Sequence, residues 1–214
     1  MPGRIEPLVS GEYYHVYNRA VEGQDIFRNF RDYRRFLYTF YYYQFSGPKP
    51  KFSNSFKQKE IIPKQNKKLQ EIICYCLMPN HFHFLVQQLV DDGVSTFVRQ
   101  LCNSYTKYFN AKYKRKGYLF QGVFKAVRIK NNEQLLHLSR YIHLNPIVSK
   151  ITNSFQNYKW FSYREYALGE KLYCSTDLVL SSFPNRKSYV DFLEDQKDYG
   201  MTLEILKHAN IDNI

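Results

Sequence analysis

The chain is poor in several things that would have assigned it to a class at once. Its 214 residues contain no apolar run approaching the length of a membrane span, and the opening MPGRIEPLVSG lacks the apolar core of a signal peptide. The expectation is a cytoplasmic chain with no membrane partner. Cysteine is scarce: Cys74, Cys76, Cys102 and Cys174 show neither Cys-x-x-Cys spacing nor the density of a secreted scaffold, so they read as reduced, mostly buried thiols. There is no GxxxxGK[ST] stretch to cradle a nucleotide's phosphates, and no internal repeat or low-complexity tract. Acidic residues are also few, 19 against 31 Lys and Arg, which leaves a formal charge of +12.

That basic balance comes with an aromatic content of 18%. Cationic side chains follow phosphates and flat rings stack on bases, so the pairing points to nucleic acid, single strands above all. A length of 214 residues suits one sizeable domain or a domain with an appendage. Residues 12–17, EYYHVY, have strand character, and Asn18 and Arg19 leave it for a loop. From Phe30 to Gln44 the residues Tyr33, Phe36, Leu37 and Phe40 recur at helical spacing. Residues 46–70, rich in Lys, Pro, Ser, Asn and Gln, read as a loop inserted in the domain.

EIICYCLM and HFHFLVQQ then flank Pro79-Asn80 as a hairpin. Beyond Asp91-Asp92-Gly93, a stripe of Phe97, Leu101, Tyr105, Tyr108 and Phe109 predicts a long helix ended by Gly117. YLFQGVFKAVRI looks extended, and Asn131 or Asn132 caps a last core helix, NEQLLHLSRYIHLN, stopped by Pro146. The order strand, helix, two strands, helix, strand, helix predicts an α+β fold, an antiparallel sheet with helices packed against it. The expected division is a catalytic domain over 1–150 and a C-terminal extension over 151–214, packed on or beside it.

Chemistry is carried by two short stretches. In MPNHFHFLV, His81 and His83 stand two apart on a strand, so both imidazoles face one side and can meet one cation. Taken alone, such a pair reads more readily as two partly buried polar residues. Its setting argues otherwise, because two imidazoles beside Phe82 and Phe84 lose hydration unless something pairs with them. On the helix that carries RYIHLNP (Arg140 to Pro146), His137, Tyr141 and Asn145 line one face, where a tyrosine can act as nucleophile and an amide one turn later can contact the same metal. The chain holds 20 tyrosines, and spacing alone gives Tyr141 no lead over Tyr105 or Tyr108.

Together, YHVYNRA, MPNHFHFLV, SYTKYFN, YLFQGVFK, YIHLNP and WFSYREY follow in an order that resembles the REP-associated tyrosine transposases. These form a single-tyrosine branch of the HUH nucleases, related to small insertion-sequence transposases. The resemblance runs from about Tyr13 to Tyr166. It implies a ferredoxin-like or RRM-like sheet, a divalent ion (Mg2+ or Mn2+) on His81 and His83 with Asn145 as a further ligand, and Tyr141 as the nucleophile. It implies single-stranded DNA bearing a REP-like hairpin as partner, cleaved and transferred through a 5′-phosphotyrosine without ATP. The protein's state, monomer or homodimer, stays open.

The expected DNA contacts are Arg19, which matches an Asn-Arg of the family, and the basic residues Arg99, Lys107, Lys112, Arg115, Lys116, Lys125, Arg128 and Lys130. One departure stands out. The family's Gln-x-Arg-Phe stretch is here Gln121-Gly122-Val123-Phe124, leaving Lys125 or Arg128 to make the arginine's contact. Two other functions compete: a module that binds DNA hairpins without cutting them, and a hydrolase in which His81 and His83 activate water.

Overall fold

The computed structural model describes residues 7–47, 52 and 67–195. Most of the lysine-rich insertion expected at 46–70 lies outside the described residues. Four strands, β1 (Tyr13–Arg19), β2 (Gln70–Met78), β3 (His81–Gln88) and β4 (Lys125–Ile129), form one sheet in the order β2-β3-β1-β4, every pair antiparallel. Helix α1 (Phe30–Tyr43) connects β1 to β2 and α2 (Gly93–Lys112) connects β3 to β4, so two βαβ units interleave as in the ferredoxin-like arrangement. Helix α3 (Asn132–Val148) follows β4. The expected antiparallel α+β fold is the one observed.

Local chemistry explains the elements. Asn29 caps α1, its side chain accepting from the backbone N–H of Arg31 and Asp32. The predicted stripe Tyr33, Phe36, Leu37 and Phe40 is the buried face of that helix. Phe82, Phe84 and Val86 of β3 meet it, with Val16, Phe97, Leu101 and Tyr105, in a core rich in rings. Asp32, fully buried, ties α1 to α2 by accepting from Lys112 Nζ (2.5 Å), Tyr108 (2.9 Å) and Tyr113 (2.6 Å). Gly93 opens α2 against Leu69, where a Cβ would stand 2.2 Å from the Leu69 carbonyl oxygen.

The opposite face of the sheet is covered in part by α3 and by the segment after it, which holds α4 (Tyr163–Ala167), α5 (Asp177–Leu180) and α6 (Arg186–Glu194). Its anchor is polar as well as apolar. His143, fully buried on α3, bonds Tyr189 (2.8 Å) and Ser162 (2.8 Å), and Ser162 accepts from the Tyr75 N–H of β2. Burial pushes the His143 imidazole down to about 3.

Several boundaries depart from expectation: Asn18 and Arg19 stay within β1 because they pair with Phe82 and His81, and α2 ends at Lys112 rather than at Gly117. Residues 118–124 form a loop, and only Lys125–Ile129 pair as a strand. The loop is fixed instead by Val21 N–H donating to Leu119 O (3.0 Å) and Gln121 N–H to Arg19 O (2.8 Å). Pro146 does not stop α3, which runs on to Val148. The missing N–H forfeits one bond, that to the carbonyl of Ile142, and because the helix ends two residues later no further turn has to be carried past the proline.

Candidate functional site

The site lies on the part of the sheet that α3 leaves half open. Met78 pairs with His81, so Pro79-Asn80 is the predicted two-residue turn. A loop from β1 clamps it: Ala20 N–H donates to Asn80 O (2.9 Å), while Ile26 and Phe27 donate to Pro79 O (2.8 and 3.0 Å). The Asn80 side chain is clamped too, its Nδ2 donating to Gly23 O (3.0 Å) and its Oδ1 lying 2.6 Å from His81 Nδ1. With the amide nitrogen committed to a carbonyl, Oδ1 must accept, so His81 carries its proton on Nδ1 and keeps a lone pair on Nε2.

Alternation along β3 puts His81 and His83 on the face opposite Phe82 and Phe84, with ring centroids 4.9 Å apart. Across the ladder, Arg19 stands opposite His81, Tyr17 opposite His83 and His15 opposite Leu85. Antiparallel partners share a face, so β1 adds Arg19, Tyr17 and His15 to the histidine pair. His15 Nε2 and His83 Nδ1 share a hydrogen bond of 2.9 Å. Burial pushes His15 and His81 down to about 4, the Arg19 charge adding to the effect at His81. His83 falls well below the ordinary imidazole value, through burial first and then its neighbours His81 and His15. At neutral pH all three are uncharged, the form that binds metals.

Tyr141 hangs over this cluster from α3. Its ring lies edge-on to His83 (5.5 Å between centroids) and to His15 (6.1 Å), and the side chain is 47% exposed. Asn145, one turn later, is buried and donates from Nδ2 to the Tyr141 carbonyl (2.8 Å), which leaves its Oδ1 free of that bond. Tyr105, an equal candidate on spacing, is fully buried and donates to Ile26 O (2.6 Å), and Tyr108 is bound to Asp32. His137 turns elsewhere, to Arg140 (2.6 Å) and Glu133 (3.8 Å).

Among the described residues no group of three or more His, Cys, Asp or Glu is arranged to hold a metal ion. The donors that share one face of the sheet are instead the two neutral imidazoles of His81 and His83, beside the half-exposed Tyr141. Such a set fits a divalent ion that completes its shell with substrate oxygens and water. The partner at His81 Nδ1 is the kind of outer hydrogen bond that orients a ligating histidine.

The basic residues divide. Arg19 and Lys125 stand on the histidine face, Lys125 opposite Tyr17. Arg99, Lys107 and Lys116 are exposed on α2 or just after it. Lys112 is held by Asp32, Arg115 by Asn110 (3.2 Å) and Tyr118 O (2.8 Å), and Arg128 by Glu12 (2.6 Å). These three serve the fold in the first instance. The sequence reading missed His15 and Tyr17 as members of the cluster, although the alternation that paired His81 with His83 also puts Tyr13, His15 and Tyr17 on one face.

Comparison with known proteins agrees with the motifs. A family model described as "Transposase IS200 like" matches residues 52–145. A solved structure of a REP-associated tyrosine transposase bound to a REP hairpin superimposes with a TM-score of 0.57 at 15% identity, covering 81% of this chain and 88% of that one. At that identity the likeness is one of fold. No curated protein matches the chain. The resemblance read from the motifs holds, in sequence over the central region and in fold over most of the chain, and it supports a transposase-like role in processing DNA.

Proposed function

We propose that the chain is a metal-dependent single-stranded DNA endonuclease and strand transferase, with Tyr141 as nucleophile and hairpin-bearing DNA as substrate. One observation carries the reading: a half-exposed tyrosine held 5.5 Å, ring to ring, from the buried histidine of an uncharged His-x-His pair. The resemblance to transposases of this fold supplies the substrate class.

His81 and His83, through their Nε2 atoms, and Asn145, through Oδ1, are the residues that would hold the ion. Bound there, a divalent ion supplies polarisation of the scissile phosphate and shields the charge gathering on its oxygens. For His83 to ligate through Nε2 it donates from Nδ1 to His15, which makes His15 the acceptor that sets its tautomer. Arg19 and Lys125, on the same face, bind the flanking phosphates. Tyr141 Oη attacks phosphorus, the P–O3′ bond breaks, and the products are a 5′-phosphotyrosine and a free 3′-hydroxyl. A phenol ionises near pH ~10, so its proton leaves during attack, and the exposed side of Tyr141 gives it to solvent. The covalent bond preserves the phosphodiester's energy, so a second 3′-hydroxyl reverses the step and joins new ends.

The test is incubation with single-stranded DNA hairpins and Mn2+ or Mg2+, followed by denaturing electrophoresis for a covalent protein–DNA adduct. Wild type forms it and Tyr141→Phe does not. Binding without an adduct under either metal would make the chain a hairpin-binding module, and free 5′-phosphate products from both proteins would make it a hydrolase.

A further inference from the structure

A second concavity opens on the other side of the same strand end. It has a volume of about 690 Å3 and lies between α2 and the loop 118–124, within the range of small-molecule sites. On α2 the stripe Ser95, Arg99, Asn103 and Thr106 faces it, the polar side of the helix that packs Phe97, Leu101 and Tyr105 on the sheet. Facing that stripe are Tyr118, 86% exposed, and Val123, 68% exposed, with Phe120 between them. Gly122 sets the loop's course at φ +64°. Among the described residues the side chains of Arg99 and Asn103 make no hydrogen bond or ion pair.

We infer that this groove is a specificity pocket for one unpaired nucleobase of the DNA strand, resting on the reading that the chain binds single-stranded DNA. The chemistry of the lining selects a base. Tyr118 and Val123 offer a ring and an apolar surface for stacking, which every base can use. The Asn103 amide offers a donor and an acceptor to a base edge, the pairing by which amides read bases. Asp92, also at the rim, opposes a bare phosphate and suits an exocyclic amine.

The placement links the pocket to the scissile position. Asn18 lines the groove, while Arg19, next along β1, stands opposite His81 on the catalytic face. The pocket's loop is bonded to that strand end through Arg19 O and Val21 N–H, and Phe120 bridges to Ala20. The groove and the histidine face thus share the end of β1, the route by which a base flanking the phosphate at His81 and His83 would enter. Val123 occupies the position where the resemblance leads one to expect arginine, so this chain presents an apolar wall there.

The test uses full-length protein carrying Tyr141→Phe and a pool of DNA hairpins with randomised unpaired tails, the bound fraction being sequenced. The parent enriches one base at one tail position. Tyr118→Ala and Asn103→Ala reduce that preference about tenfold and leave other positions alone, while Tyr118→Phe restores it. Tyr118 is almost wholly exposed, so thermal unfolding of its variants stays at the parent value. Unchanged preference in both alanine variants would overturn the pocket and spare the DNA-binding reading. Recovery of the pool no better than a matched duplex would overturn both.

Discussion

Strand β3 divides two regions whose residues alternate along a single stretch of chain. On one side Phe82, Phe84 and Val86 are wholly buried against α1 and α2, in a core made mostly of rings. On the other, His81 and His83 meet His15, Tyr17 and the half-exposed Tyr141, while only Leu85 joins the apolar cluster under α3. A one-residue slip would exchange the two sets, so the packing of the aromatic face also fixes where the imidazoles point. The difference teaches that rigidity and reactivity are drawn from the same strand: one face gains stability from burial, and the other uses it to keep polar groups uncharged and aimed.

The sharpest way to break that comparison is to change one residue on each side. Tyr141→Phe abolishes the covalent adduct and leaves stability within about 0.5 kcal/mol, since the lost hydroxyl belongs to a half-exposed side chain; electrophoresis and urea unfolding read the two quantities. Phe84→Ala does the reverse at first order. It removes a ring from a filled core and costs about 3–5 kcal/mol, and whatever protein remains folded still forms the adduct. Should Tyr141→Phe unfold the protein, or Phe84→Ala leave its urea midpoint unchanged, the two faces do not divide the work as described.

Legibility in the sequence followed the same division. Period-two alternation in β3 and the 3.6-residue stripe of α1 were legible because burial on one side imposes them, although the tyrosine run at the end of α1 also suits a strand. The site's own residues were harder. His81 and His83 were visible as a pair but ambiguous, and Tyr141 emerged from among 20 tyrosines through the resemblance of YIHLNP. Spacing could not separate Tyr141 from Tyr105, whereas packing does so at once: Tyr105 is sealed against Ile26 O. His15 went unnoticed because strand pairing across a separation of 68 residues brings it to His83, and no local pattern encodes that. Likewise Lys112, Arg115 and Arg128 were grouped as a phosphate track from charge alone, although acidic or carbonyl partners hold each of them.

Acid should act on the two regions in different windows. His143 is neutral in the fold with its value pushed down to about 3, while an unfolded histidine titrates near ~6.5. Between those values the unfolded chain binds a proton that the folded one refuses, so stability falls as pH drops through the window, by up to ~1.4 kcal/mol per pH unit per such histidine. His15 and His81, pushed down to about 4, add to the slope. Asp32 works lower. Burial opposes its ionisation, but hydrogen bonds from Lys112, Tyr113 and Tyr108 outweigh that and hold it below the ordinary carboxylate value. Its contribution is present above about pH 3.9, the unfolded aspartate's value, and is lost below it. Urea midpoints measured from about pH 7 downward should therefore show a slope starting near ~6.5 that His143→Gln makes shallower, leaving the later acid loss in place.

The smallest expected effect compares two helix caps of the same residue type. Asn131 caps α3 by accepting from Gln134 N–H (2.8 Å), much as Asn29 caps α1. Asn131→Ala removes that acceptor and costs about 1 kcal/mol. Adduct formation stays within about twofold, because Tyr141 lies well beyond the first turn and the buried Leu135, before it, and Ile142 and Ile147, after it, hold the helix down. Asn29→Ala costs more, since the same side chain also donates to Tyr113 Oη (2.9 Å) and accepts from Lys112 Nζ (3.1 Å), so its loss loosens the Asp32 cluster as well. Equal losses in urea unfolding would mean that the α1–α2 polar cluster adds nothing to the aromatic side beyond its rings. A drop in adduct yield for Asn131→Ala larger than its loss of folded protein would mean that the position of Tyr141 depends on the helix end rather than on the packed face beneath it.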